Sequence, residues 1–194
     1  MVIHSDRFGE LKVNDQDILT FESPLLGFQN LRDYYLFEPP EDNTFVWLQS
    51  VESPAVAFPL IESEVVHDPY DIELHGADLI RLGTTSFKDN RIISFALVSM
   101  SNDPSQVTAN FMAPVLVHCE TRRGIQIILE STDYDAETPI FEALKKAVQR
   151  DFFNQRKLVF GPGSVKRVTK TITVAIASGA NKRHASDESE PSIH

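Results

Sequence analysis

The sequence predicts an all-β fold: a small antiparallel β-barrel-like domain over residues 1–135, followed by a C-terminal amphipathic helix and an extension. Three observations carry that expectation. The first 135 residues break into short β-prone runs, parted at close spacing by Gly, Pro, Asn and Asp. Several runs, residues 92–100 and 115–117 above all, are apolar at nearly every position, the mark of strands covered on both faces rather than half exposed. Near residue 136 the apolar period lengthens to steps of three and four, the period of a helix.

Taken in order, residues 1–8 and 11–13 flank Gly9 and predict a hairpin. Ile18-Leu-Thr-Phe21 is a short strand closed by Ser23-Pro24 and Gly27, and Tyr34-Tyr-Leu-Phe37 is another, stopped by Pro39-Pro40. Residues 45–51 and 55–61 are two further strands around Glu52-Ser53-Pro54. Residues 77–82 suit one or two helical turns ended by Gly83. Residues 111–119 and 125–130 are strands joined by Glu120-Thr-Arg-Arg-Gly124, whose glycine suits a tight hairpin. Thr138-Pro139 offers a helix N-cap followed by proline in the first turn. Ile140, Phe141, Leu144, Val148 and Phe152 then form an apolar stripe, with Lys145, Lys146 and Arg150 off it. That stripe is expected to dock on the barrel. Residues 136–177 thus hold a helix and a β-prone segment around residues 168–176; residues 178–194 read as a disordered tail. A rolled sheet would hide edges that otherwise invite pairing.

At 194 residues and 42% apolar, the chain can build a core without covalent staples. Cys119 is the one cysteine, so an intrachain disulfide and a Cys-based zinc site within one chain are excluded, and a reducing compartment fits. The opening Met-Val-Ile-His-Ser-Asp lacks the basic and apolar regions of a signal peptide, and no apolar stretch approaches a membrane span. A soluble cytoplasmic protein is expected. The net charge of −10 is unevenly spread: residues 1–135 hold 22 acidic against 8 basic side chains, and residues 136–194 hold 6 against 10. An acidic body repels phosphate backbones and attracts basic proteins.

Reactive constellations are scarce. Phosphate-binding glycine loops, the GxSxG elbow and the HExxH motif are all missing from the sequence. His67 and His75 flank Asp68 and Asp71 without the spacing of a metal motif, and a solvated acidic loop is the better account. His118 and Cys119 are adjacent, so on a strand they point to opposite faces and cannot act as base and nucleophile; Cys119 reads as a small core residue. Asp15 and Asp17 read as a polar turn, and Arg122 and Arg123 as solvated charges of a hairpin. Trp47 shares a strand face with Phe45 and Gln49, opposite Val46 and Leu48. A lone tryptophan there is either core or an interface anchor.

Several blocks occur together in order: Phe8-Gly9-Glu10; Ile18-Leu-Thr-Phe21; Gly27-Phe28; Phe45-Val-Trp-Leu-Gln-Ser50 with Pro54 and Ala57-Phe58; Thr108-Ala-Asn-Phe-Met-Ala-Pro-Val115; and Thr121-Arg-Arg-Gly-Ile-Gln-Ile-Ile-Leu129 with Tyr134. In these the chain resembles the flagellar assembly factor FliW family. The resemblance implies a compact β-barrel-like protein that is not an enzyme and uses no cofactor. It implies two partners, the translational regulator CsrA and flagellin: CsrA held by the protein cannot repress flagellin translation, and accumulating flagellin displaces it. It also implies that CsrA can be acted on away from its RNA site. Family members commonly carry an asparagine near His118 or Cys119 and usually finish close to Tyr134, so residues 136–194 inherit no role. From charge, the candidate contacts for a basic partner are Glu62, Glu64, Asp68, Asp71 and Glu73, joined by Trp47 and Asn110. Two rivals stand beside this: an export chaperone that recognises flagellin-like helices without binding CsrA, and a small barrel enzyme or metal-binding protein using His67, His75 and His118.

Overall fold

The computed structural model describes residues 1–39, 44–86, 91–130 and 133–149. Strands β1 (Val2–Ser5) and β2 (Gly9–Lys12) pair with each other as a separate hairpin. The remaining strands are β3 (Ile18–Phe21), β4 (Asp33–Phe37), β5 (Val46–Ser50), β6 (Ala57–Glu62), β7 (Ile92–Ser99), β8 (Thr108–His118), β9 (Arg123–Gln126) and β10 (Thr138–Pro139). From β3 to β9 each strand pairs antiparallel with the next, and β9 closes back onto β3. The result is a closed seven-strand barrel, with β10 laid along the outer end of β8. The sequence predicts an antiparallel barrel, and every seam is antiparallel except β3–β9, which is parallel. The reason is arithmetic: a meander reverses direction at each strand, so an odd number of strands must close with one parallel seam.

Alternation along the strands fills two cores. One face sends Phe21, Tyr34, Leu48, Leu60, Phe95 and Val115 into the barrel. The other sends Trp47, Ile61, Leu116 and Ile125 outward, where Tyr70, Leu79, Phe111 and Ile140 cover them. That outer layer explains the nearly continuous apolar runs of β7 and β8. Each large apolar side chain so enclosed contributes about 1.5–3 kcal/mol relative to exposure. Tyr34 lies wholly inside the barrel, and burial, with the nearby Glu52 carboxylate second, pushes its hydroxyl up to about 12.

The Thr-Ala-Asn-Phe-Met-Ala-Pro stretch makes a corner in β8. Phe95 of β7 pairs with Val115, yet Leu97 pairs with Asn110, so residues 111–114 bow out opposite Ala96. The Asn110 side-chain oxygen accepts the Ala113 N–H at 2.9 Å, while Pro114 has no N–H to leave unsatisfied. The freed backbone finds new partners: Phe111 N–H donates to the Asp135 carbonyl, and the N–H groups of Ile127 and Leu129 donate to Pro114 and Met112.

The β1–β2 loop turns as predicted, with Gly9 at φ +73° and the Ser5 hydroxyl accepting from the N–H groups of Arg7 and Phe8. Helix α1 (Gly76–Arg81) ends as predicted at Gly83, φ +76°, with the Thr84 N–H reaching back to the Leu79 carbonyl. Two expectations are corrected. Gly124 does not make the β8–β9 turn. Arg122 takes the left-handed conformation there, φ +56°, and Gly124 lies in β9 against the Phe21 ring. Nor does Thr138-Pro139 open a helix. Those residues form β10 against Thr108 and Ala109, a sheet edge where proline's missing donor costs nothing, and helix α2 (Phe141–Gln149) starts after Ile140.

The expected docking of α2 is observed, on the turns at Ser63–Val65 and Pro104–Gln106. Leu144 and Ala147 face inward from it, with Ile140 buried just ahead of the helix, while Val148 of the predicted stripe is 61% exposed. Phe152, the β-prone segment and the tail lie outside the described residues.

The loop after β5 is held by polar side chains. Gln49, fully buried, donates to the carbonyls of Ser50, Ser53 and Val56. Glu52 accepts the N–H groups of Arg32 and Asp33, both at 2.9 Å. Burial alone would raise the Glu52 carboxyl, but those backbone donors and the Ser50 hydroxyl bring it below the ordinary glutamate value. Since the folded value is the lower one, Glu52 contributes stability above its unfolded value and loses it as pH falls through its folded value. Glu52→Gln is therefore expected to be less stable than wild type at neutral pH, with the gap closing in acid. Urea melts of both proteins from neutral pH down to below the usual glutamate range check this; a gap constant with pH contradicts it.

Candidate partner-binding surface

The acidic stretch chosen from charge divides once strand phase is known. Glu62 ends β6 on the inner face, in phase with Leu60 and opposite Phe95, and is 3% exposed. It is not part of the accessible surface, which corrects its choice as an exposed contact. The phase of the Phe58–Leu60–Glu62 alternation carried that signal in the sequence. Glu64, in the turn after β6, is half-buried, and Asp68, Asp71 and Glu73 are exposed. From Tyr70 the chain runs extended, turning Tyr70, Ile72 and Leu74 inward and Asp71 and Glu73 out. The Asp71 N–H donates to the Tyr134 hydroxyl at 3.0 Å, tying this run to the segment before β10.

Asp71 and Glu73 border an open groove of about 810 Å³ between residues 71–81 and 126–130. Asp78, Glu130, Leu26 and Ile128 also line it. Arg81 is the basic side chain on its wall and faces Asp78 at 3.5 Å. A second open groove, about 560 Å³, is lined by Arg7, Trp47, Pro54, Ala57, Pro59 and Met100. Trp47 forms its floor rather than its surface. It is 5% exposed, packed edge-on against Phe8 at 5.1 Å, with the Arg7 guanidinium 4.3 Å above its ring. Asn110 is half-buried and spends its side-chain oxygen on the β8 corner. So Asp68, Asp71 and Glu73 share one exposed stretch with Glu64 beside it, while Glu62, Trp47 and Asn110 stand behind surfaces rather than on them.

The three histidines do not converge. His67 sits edge-on to Phe111 at 4.6 Å and 5.0 Å from Tyr134, and burial lowers its pKa. His75 precedes α1, and its N–H donates to the Asp78 carboxylate at 3.0 Å. His118 is 1% exposed, with Nδ1 accepting the Thr121 N–H. Cys119 is buried next to it. Among the described residues no group of three His, Cys, Asp or Glu side chains could hold a metal ion. Arg122, expected as a solvated charge, is half-buried, and its guanidinium lies 3.6 Å from the Asp17 carboxylate. The Arg122 carbonyl accepts the Thr20 N–H, so this pair fastens the parallel seam. Asp17 is thereby structural, whereas Asp15 is exposed. Burial at these two positions was not readable from composition.

Among the described residues the fold presents a closed barrel with an added outer layer and open grooves on its surface. The FliW protein family model matches residues 2–140, and the chain belongs to that family. A flagellar assembly factor FliW of Bdellovibrio bacteriovorus is 38% identical over 148 residues, covering 76% of this chain and 83% of the relative. One of Lachnospira eligens is 31% identical over 149 residues, covering 75% of this chain and 98% of the relative. A crystal structure of the flagellar assembly factor FliW superposes with a TM-score of 0.66 at 28% identity, covering 73% of this chain and 97% of that one. No helix among the described residues is long and apolar enough to cross a membrane.

Proposed function

We propose that this flagellar assembly factor is a cytoplasmic regulatory binder without catalytic activity. It holds the translational regulator CsrA away from flagellin translation, and flagellin competes for it. Family membership is the observation that carries this reading, since FliW relatives are named assembly factors. The exposed acidic run Asp68, Asp71 and Glu73, with Glu64 at its edge, supports it by charge: an RNA-binding partner is basic. Glu62, Trp47 and Asn110 contribute by holding the surfaces in front of them.

Titration calorimetry against purified CsrA at rising salt is the test. Affinity is expected to fall as salt screens the attraction, and the paired reversal Asp71→Lys, Glu73→Lys is expected to weaken binding about fivefold at low salt. Flat affinity from low to high salt removes the electrostatic part. Flagellin binding without any CsrA binding favours the export-chaperone reading instead.

A further inference from the structure

The groove beside β9 offers a strand edge. Ile127 and Leu129 direct their N–H groups to Pro114 and Met112 at 3.2 and 2.8 Å. Backbone alternation turns the N–H and C=O of Ile128 away from β8, and Ile128 lines the groove. Two apolar side chains project there, Leu26 and Ile128, 56% and 58% exposed. Asp71, Glu73 and Glu130 stand around them. An edge of this kind accepts an extended segment with alternating apolar side chains and basic flanks.

The chain carries such a segment beyond the region matched by its family. Residues 165–176 read Val-Lys-Arg-Val-Thr-Lys-Thr-Ile-Thr-Val-Ala-Ile. Ile172, Val174 and Ile176 alternate, and Lys166, Arg167 and Lys170 precede them. Residues 152–186 contain no acidic side chain at all. Length is no obstacle. The chain from Gln149, where α2 ends, to Val168 spans up to roughly 60 Å when extended, against a body about 40 Å across for this size. Tethering also gives the segment an effective concentration near the millimolar range.

We propose that the groove receives residues 165–176 of the same chain as an added strand, with Lys166, Arg167 and Lys170 against the acidic rim, so that the extension competes with outside partners for this surface. The proposal does not depend on CsrA or flagellin, because its readout needs neither.

Hydrogen–deuterium exchange on the full chain is the experiment. The triple variant Lys166→Glu, Arg167→Glu, Lys170→Glu is expected to lose about tenfold in amide protection at residues 126–130 and 168–176, with the barrel strands unchanged. Adding Glu73→Lys and Glu130→Lys to that variant is expected to restore protection. Equal exchange at residues 126–130 in wild type and triple variant overturns the proposal, as does a charge swap that restores nothing. Protection that grows with protein concentration assigns the strand to a second copy and overturns the intramolecular form. Protection at residues 126–130 that arises only on adding a basic partner overturns it as well.

Discussion

Gly124→Ala is expected to lower stability by about 3 kcal/mol, and the midpoint of thermal unfolding by about 10 °C for a body of this size. A methyl group at Gly124 would stand 2.3 Å from the Phe21 ring, far inside contact distance. Neither neighbour can yield cheaply. Phe21 is fully buried in the barrel interior, edge-on to Tyr34 at 5.2 Å. Gly124 is paired on both sides, to Val117 of β8 and Phe21 of β3. The strain therefore falls on the parallel seam that closes the barrel. Shortening the opposing side chain should relieve it: Gly124→Ala combined with Phe21→Leu is expected to be more stable than Gly124→Ala alone, although Phe21→Leu alone destabilises. Calorimetric melts of the four proteins form the double-mutant cycle, and simple additivity in that cycle contradicts the clash.

Trp47→Ala is expected to cost about 3–5 kcal/mol, the range for removing a buried tryptophan. Trp47 is one of the contacts through which the β1–β2 hairpin sits on the barrel: Phe8 packs against it and against Phe37, Arg7 caps its ring, and the Asp6 N–H donates to the Pro54 carbonyl. Being the only tryptophan, it also reports on that contact directly. Phe8→Ala should shift its emission to longer wavelength while leaving the barrel folded by far-ultraviolet circular dichroism. Trp47→Phe should keep most of the stability. Unchanged emission in Phe8→Ala would mean that the hairpin does not cover Trp47 in solution.

Both predictions turn on residues whose sequence blocks stood out before their reasons did. In Phe45-Val-Trp-Leu-Gln-Ser50 the strand phase was readable: Val46 and Leu48 on one face, Trp47 and Gln49 on the other. The uninterrupted apolarity of β7 and β8 also announced two covered faces. What could not be read was where covering layers stop. Glu62 looks like its neighbours in composition, yet it falls on the inward phase of β6, whereas Asp71 and Glu73 fall on the outward phase of an extended run that only the tertiary fold defines. Gly124 looked like a turn residue because glycine usually serves turns. Its role comes from Phe21, about a hundred positions away, and no local pattern encodes so distant a steric demand. Thr138-Pro139 has the chemistry of a helix start, and tertiary pairing with Thr108 and Ala109 overrode it. Charge density along the chain locates an acidic region but not the side chains that reach its surface.

The odd number of staves in the barrel separates its two ends. Because β3 and β9 run the same way, the polypeptide enters the cylinder at one rim and leaves at the opposite one. An even-numbered cylinder would return its exit beside its entrance. Here a circular permutant joining the start of β3 to the end of β9 needs a linker as long as the cylinder is tall, and domains fused ahead of β3 and behind β9 emerge at opposite poles without crowding each other.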